Sequence, residues 1–219
     1  SNKDGALGLY QVTSLAQVAE GHWQPLWSGE DRSLEKWRLF ADHTVLQYRK
    51  AGDDWLDVLD AGGRRWQVRC GDGHAPEHAT LWSMDDHLIL GGDQLLPGIS
   101  ANLAVYPTEP AADPVTEWMD SARALQPHAR EDHLVLPGHK LPFTGLPLRL
   151  EQMIDNHVGA LDRLVAHLST PRTAIDCFAP LFKRDIGPAE FGFALVESVA
   201  HLNCLLRQGR VQRSLSDDG

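Results

Sequence analysis

Hydrophobic positions follow two different periods along the chain, and the change falls near Gly145. Before it, short apolar runs are separated by Gly and Pro, which is typical of strands joined by tight turns. After it, apolar residues recur every three or four positions, which is typical of helices. We therefore expect an α/β protein in two parts, with strands and helices in residues 1–147 and a helical tail in residues 148–219.

The spacing in the tail predicts three helices and a strand. Residues 148–168 form one long amphipathic pattern that Pro171 ends, a short helix opens at residues 173–176, and a third covers residues 191–208. Residues 210–213 have the composition of a final strand.

Upstream, residues 114–125 predict a helix with Asp113 as its N-cap, placed between two strands. Together they form a strand, crossover helix and strand unit, with helices covering a sheet. Nearer the start, the pattern predicts helices over residues 12–19 and 34–40, a strand over 44–48, and a hairpin of residues 55–59 with 64–70.

Three of the predicted strands run into loops that carry possible metal ligands. Residues 65–70 lead to His74, residues 87–90 lead to Asp93, and residues 133–136 lead to His139. Because such loops lie at the rim of a sheet, separate segments of the chain can converge there on one ion. A carboxylate flanked by neutral imidazoles suits metal-assisted hydrolysis, in which divalent ions activate water near neutral pH.

The segments Gly73-His74-Ala75-Pro76-Glu77-His78, Gly92-Asp93 and Pro137-Gly138-His139 resemble three successive motifs of the metallo-β-lactamase superfamily. The resemblance extends from about Trp55 to Val211. It implies an αββα sandwich in which His74 binds one ion, Asp93 bridges two, and His139 binds the second. It also implies two divalent metals, zinc or else manganese or iron, and hydrolysis of a small ester, thioester, lactone or phosphodiester. The tail resembles the small winged-helix-type tail of one branch of the superfamily.

The chain departs from this family because it contains no His-x-His-x-Asp-His segment, which supplies the remaining ligands in these enzymes. We therefore expect a sandwich that is incomplete at its N-terminus, with about two protein ligands for each ion and weak metal binding. The missing ligands would come from an upstream part of the gene product, from a second chain, or from His22 or His43. The first source is favoured.

Two functions are consistent with the resemblance and with the absence of the His-x-His-x-Asp-His segment. One is a metal-dependent hydrolase for which this chain supplies part of the active site, and the other is a non-catalytic relic of the fold that acts in self-association or partner binding. Because an incomplete sandwich would expose apolar sheet surface, we expect a homo-oligomer. A third possibility, nucleic-acid processing, depends on a small basic group formed by Arg207, Arg210 and Arg213.

Composition limits the kinds of partner and the cellular setting that we expect. The formal net charge of −10 disfavours nucleic acid, no apolar run reaches the length of a membrane span, and 42% hydrophobic residues among 219 suffice for a core. The three cysteines lack Cys-x-x-Cys spacing, which favours a reducing, cytoplasmic setting. Cys70, Cys204 and Trp82 are expected in the core, and His78, His157, His167 and His201 are interpreted as structural or surface residues.

Overall fold

The computed structural model describes residues 8–11, 24–28, 33–39, 43–50, 53–60 and 63–214. The chain divides into two compact units, Ser1–Val68 and Arg69–Gly219. The division that we predicted between residues 147 and 148 lies within the second unit and stays a prediction.

The described part of the first unit consists of antiparallel strands. The strands β1 (Gly8–Gln11) and β2 (Gln24–Ser28) form a pair. The strands β3 (Ser33–Leu39), β4 (His43–Lys50), β5 (Asp53–Asp60) and β6 (Arg65–Gly71) follow as a meander, and β6 runs on into the second unit. The predicted strand over residues 44–48 and the hairpin formed by β5 and β6 are confirmed.

The helix predicted over residues 34–40 is wrong, because β3 occupies this segment and pairs with β4. Leu34 and Trp37 are three positions apart, which also fits one face of a helix, and a short apolar segment does not distinguish the two by spacing alone. Backbone pairing with β4, in which Trp37 lies opposite Leu46, decides in favour of a strand. The helix predicted over residues 12–19 lies outside the described residues.

Strands β7 (His78–Ser83), β8 (Leu88–Gly92) and β9 (Leu134–Pro137) lie side by side in the second unit. Strands β7 and β8 are antiparallel, whereas β8 and β9 are parallel. Helix α1 (Pro114–Leu125) connects the parallel pair, and a short 3₁₀ turn (Gln126–His128) follows it. The predicted strand, crossover helix and strand are therefore confirmed, and the protein belongs to the α/β class.

Helix α1 begins and packs as its sequence requires. The Asp113 carboxylate accepts hydrogen bonds from the backbone N–H and the hydroxyl of Thr116, which satisfies part of the open first turn, and Pro114 takes a position where no N–H is needed. The apolar stripe of the helix is buried, with Val115, Trp118, Met119 and Ala122 all at most 4% exposed. The predicted apolar face is thus confirmed.

Three further helices form the tail: α2 (Leu146–His167), α3 (Phe178–Phe182) and α4 (Phe191–Arg207). The long helix and the last helix agree with the prediction, but the short helix begins at Phe178 because residues 174–177 form a turn. Buried residues of α1, α2 and α4 share one core, which includes Trp118, Leu150, Leu161, Leu164 and Leu205. None of the described helices combines the length and the apolar character that crossing a membrane would require.

The strand predicted over residues 210–213 is wrong, because these residues form a bend and irregular backbone. Gly209 adopts φ +67°, its N–H donates to the Leu206 carbonyl, and the N–H of Arg210 donates to the Leu205 carbonyl. This pair of bonds is a Schellman motif, which ends a helix by turning the chain. The winged-helix likeness of the tail stays a prediction.

Two cysteine predictions have different outcomes. Cys204 is fully buried in the core, as expected, whereas Cys70 is exposed, so its assignment to the core is wrong. Trp66 is buried, but the alternation in β6 shifts before the strand ends, and Gly71 is buried in place of Cys70. The expected core position of Trp82, 5% exposed on β7, is confirmed.

Candidate metal centre

Three loops of the second unit bring His74, Asp93 and His139 together. His74 lies in the turn between β6 and β7, Asp93 directly follows β8, and His139 comes two residues after β9. Because β8 and β9 are parallel, their carboxyl ends meet at the same edge of the sheet. The backbone N–H of Gly138 donates to the carbonyl of Gly92 over 2.8 Å, which joins the second and third loops.

The carboxylate of Asp93 lies between the two imidazoles. His74 Nε2 is 3.4 Å from Asp93 Oδ2, and His139 Nε2 is 3.5 Å from Asp93 Oδ1. Both distances exceed those of strong charged hydrogen bonds. Two ligands that are each about 2.1 Å from one tetrahedral zinc lie about 3.4 Å apart, so each pair has the spacing of two ligands on one ion.

The arrangement consists of two pairs that share a carboxylate. Among the described residues, no group of three or more His, Cys, Asp or Glu side chains is placed to hold a single ion. A binuclear site would therefore have one imidazole and one carboxylate oxygen on each ion from these residues, fewer than the three protein ligands usual for catalytic zinc.

The backbone carbonyl of Asn102 fixes the tautomer of His74. His74 Nδ1 lies 2.9 Å from this oxygen. A carbonyl oxygen only accepts hydrogen bonds, so Nδ1 carries a proton and Nε2 is the ring nitrogen that faces Asp93. Ligand histidines in metal sites commonly donate their other N–H to such an acceptor. The His74 ring therefore has the orientation that a metal ligand needs, with Nε2 toward Asp93.

His78 supports the Asp93 loop. Its Nε2 accepts the backbone N–H of Asp93 at 3.4 Å, a long hydrogen bond. The ring also packs against Gly92, where an added Cβ would come within 2.5 Å of His78 Cε1. Gly92 adopts φ +50°, a conformation that favours glycine. His78 thus has the structural position that the sequence suggested.

Gly138 leaves room for the carboxylate of Asp93. A Cβ at this position would overlap Asp93 Oδ1, the oxygen that faces His139. The Gly of the Pro-Gly-His segment is therefore required by close approach, and its backbone φ is not in the left-handed region. No local pattern in the sequence indicates this physical reason for the glycine.

Sequence reasoning missed two residues near the centre, Asn102 and Glu197. The Asn102 side chain donates from Nδ2 to Glu197 Oε2 over 2.8 Å, and Glu197 lies on α4. Burial raises the pKa of Glu197 to about 7. A sequence separation of 95 residues hides this contact from any local pattern.

Two further histidines of the second unit, His157 and His201, lie in the helical core. His157 and His201, on α2 and α4, are 2% and 1% exposed, and His157 Nδ1 is 3.1 Å from His201 Nε2. His201 Nδ1 donates to the Glu197 backbone carbonyl, so His201 Nε2 accepts the proton of His157 Nδ1. The two rings form a buried pair, as expected for packing residues. His22 lies outside the described residues, and His43 begins β4 in the first unit.

Comparison with known proteins gives matches of two kinds. Residues 161–219 match the family described as metallo-beta-lactamase-like, C-terminal domain. A beta-lactamase domain protein from Burkholderia ambifaria is 35% identical, with a TM-score of 0.67 over 71% of this chain and 46% of that one. A metallo-beta-lactamase family protein from Thermus thermophilus is 29% identical, with a TM-score of 0.60 over 71% of this chain and 48% of that one. No curated protein matches.

These matches support membership of the chain in the metallo-β-lactamase superfamily, as the loop motifs suggested. It spans about half the length of the two solved relatives. The α/β fold described above, with helices beside a sheet, thus corresponds to part of the superfamily's fold. The superfamily is of a hydrolase type, and its members generally bind divalent metals.

Proposed function

We propose that this protein is a metal-dependent hydrolase, with His74 and Asp93 on one divalent ion and Asp93 and His139 on a second. One observation carries the proposal: the Asp93 carboxylate has one oxygen toward each imidazole, at 3.4 Å and 3.5 Å. The contact of His74 Nδ1 with the Asn102 carbonyl supports it, because it leaves Nε2 facing Asp93. Gly138 supports it as well, because a side chain there would overlap Asp93 Oδ1.

The chemistry follows from the properties of these side chains. When bound, divalent ions act as Lewis acids on a substrate carbonyl or phosphoryl oxygen and lower the pKa of bound water. The Asp93 carboxylate would supply negative charge to both positions, and the imidazoles of His74 and His139 would supply nitrogen ligand atoms. His74 is about one-quarter exposed and His139 about two-thirds exposed, so a small molecule can reach the centre from solvent. Zinc is the proposed metal because it accepts this mixture of nitrogen and oxygen ligands, and manganese or iron is the alternative.

We further propose that the remaining ligands come from outside the described residues. The two pairs leave each ion short of the usual three protein ligands, and the chain spans about half of its solved relatives. The source is a further segment of the same protein, a second chain, or a substitute such as His22. The substrate is a small ester, thioester, lactone or phosphodiester.

The experiment is a hydrolysis assay on the metal-loaded protein. A panel of p-nitrophenyl acetate, an acyl thioester, an aromatic lactone and bis(p-nitrophenyl) phosphate covers the four substrate classes. We expect a chelator to abolish the activity, zinc, manganese or iron to restore it, and Asp93→Asn to lower it by about 100-fold or more. Equal rates for the wild type and Asp93→Asn would overturn the proposal.

Two observations favour a second candidate, a non-catalytic relic that associates with itself or a partner. No described trio of ligand side chains can hold an ion, so the chain can retain the fold without the metals. Large apolar side chains are also exposed in the second unit, including Leu141 at 79%, Phe193 at 68% and Tyr106 at 62%. We propose a homo-oligomer that covers part of this surface. Light scattering tests it, and a monodisperse monomer would contradict it.

A reducing, cytoplasmic setting is proposed for either function. Cys70, Cys177 and Cys204 are all free thiols, and two of them are buried in the core. Fractionation of cells that express the protein tests this setting, and recovery from an oxidising compartment would contradict it.

A further inference from the structure

The carbonyl that orients His74 belongs to a segment without regular secondary structure. Residues 101–106 form neither helix nor strand, so no ladder of backbone hydrogen bonds fixes the position of Asn102. The position of the Asn102 carbonyl nevertheless decides which nitrogen of His74 carries the proton. Something else must therefore hold this segment in place.

Helix α4 supplies that support. Asn102 Nδ2 donates to Glu197 Oε2 over 2.8 Å and lies 3.5 Å from the backbone carbonyl of Phe193. The amide nitrogen has two hydrogens, and both acceptors belong to the same helix. The backbone N–H of Val105 donates to the Val196 carbonyl over 3.3 Å, which joins segment and helix at a second point.

We propose that Glu197 is a positioning residue for the metal centre: it anchors Asn102, whose carbonyl holds His74 in the Nδ1–H tautomer with Nε2 toward Asp93. The inference rests on the proposed function for its metal readout, but its tautomer readout does not need a metal. The inference gives helix α4 a role in orienting the ligand His74, although this helix lies far along the chain from the loop motifs.

The environment of Glu197 agrees with this role. A carboxyl group that is withdrawn from water is unfavourable in its charged form, and burial raises its pKa to about 7. An apolar side chain would fill the same site on α4 without that cost, whereas only an acceptor can bind the Asn102 amide. Within the same helix, His201 Nδ1 donates to the Glu197 backbone carbonyl over 2.9 Å.

The test compares four forms of the chain: the wild type, Glu197→Ala, Glu197→Gln and Glu190→Ala. Long-range ¹H–¹⁵N NMR spectra report which ring nitrogen of His74 is protonated, and His74→Gln identifies the signals. Zinc affinity is then measured by competition with a chromophoric chelator. Glu190 is the control because it is exposed, lies next to the start of α4 and pairs with Arg184.

We expect the wild type to show the Nδ1–H tautomer and Glu197→Ala to show a mixture of both tautomers with about 10-fold weaker zinc binding, the order of effect known for outer partners of metal ligands. Glu197→Gln should retain the wild-type tautomer, because its amide oxygen still accepts from Asn102. Glu190→Ala should change neither readout. If Glu197→Ala fails to fold by circular dichroism, Asn102→Ala breaks the same link and is expected to give the same mixture.

An unchanged His74 tautomer in a folded Glu197→Ala or Asn102→Ala protein would overturn the inference, even if the wild type binds zinc. A changed tautomer in a chain that binds no zinc would support the positioning link and count against the proposed metal function. The two proposals can therefore fail separately.

Discussion

The second unit contains two pairs of histidines that differ in their location, their exposure to solvent and their hydrogen bonds. His74 and His139 lie on loops beside Asp93, and both are accessible to solvent. His157 and His201 lie on helices, are buried, and bind each other. An imidazole on a loop keeps a ring nitrogen accessible to an ion, whereas the two rings in the helical core share a hydrogen bond with each other.

Electrostatics reinforce this difference. Burial lowers the pKa of His157 to about 3 and that of His201 to about 4. Both rings therefore stay neutral at physiological pH, and Trp118 packs 5.1 Å from the His157 ring. His157 and His201 belong to the core that holds α1, α2 and α4 together, whereas His74 and His139 belong to the candidate metal centre. Changes in the two regions should consequently affect different measurements.

Removal of Trp118 should produce the largest effect, and it should be on stability. The side chain is 1% exposed, and truncation of a buried Trp to Ala costs about 3–5 kcal/mol. We expect Trp118→Ala to lower the free energy of unfolding by this amount, as measured by urea denaturation. A loss below about 1 kcal/mol would show that the helical core is not packed as described.

Gly138→Ala should weaken metal binding without comparable loss of stability. The new methyl group would overlap Asp93 Oδ1 and displace the carboxylate from His139. We expect about 100-fold weaker zinc affinity by chelator competition, or about 2.7 kcal/mol. Gly98→Ala is the matched control, because an added Cβ there meets nothing within 4 Å. Equal affinities of the two variants would contradict the role of Asp93.

Acidification should reduce the contribution of His157 and His201 to the free energy of unfolding. The folded-state pKa values of His157 and His201 lie below the ordinary 6.5, so the unfolded chain takes up protons first as pH falls. Their contribution to stability is present above pH 6.5 and is lost as pH falls from 6.5 toward 4. The loss amounts to about 2 kcal/mol between about pH 6.5 and 5.5.

Glu197 acts in the opposite direction, because its folded-state pKa of about 7 exceeds the usual 4.5 and its folded form binds a proton first. The histidine contribution is therefore read as the difference between the wild type and a His157→Gln/His201→Gln double variant, each followed by urea denaturation across this pH range. Identical pH profiles would contradict the description of the pair. Glu197→Gln should separately steepen the loss of stability on acidification.

The smallest expected effect concerns the cap of α1. Asp113→Ala removes the acceptor of the Thr116 N–H and should lower the free energy of unfolding by about 1 kcal/mol. Asp113→Asn keeps a side-chain acceptor and should retain most of the stability. Both variants should bind zinc as the wild type does. A large loss of zinc affinity would show that the two regions are not separable.

The sequence predicted best what short-range patterns encode. Helix α1 with its Asp113 cap, the long helix α2 and the unit formed by β8, α1 and β9 all follow from periodicity, caps and turns. The loop motifs also predicted that His74, Asp93 and His139 would come together. Their spacing is local to each strand end, and the parallel pairing of β8 and β9 brings the last two to one edge.

The errors and omissions depend on contacts distant in sequence. Residues 34–40 have spacing that fits either a helix or a strand, and only pairing with β4 decides. The strand expected over residues 210–213 pairs with none of the described strands. The contacts of Asn102 with Glu197 and of His157 with His201 span 95 and 44 residues, and no local pattern indicates them.

The most direct test of the central claim is a zinc titration of the chain, with metal content by elemental mass spectrometry, for the wild type and Asp93→Asn. If Asp93 is shared by two ions, its replacement weakens both sites at once, and we predict about 100-fold or greater loss of affinity with loss of all bound metal at equilibrium. Zinc bound with the same affinity and stoichiometry by both forms would show that Asp93 is not a shared metal ligand.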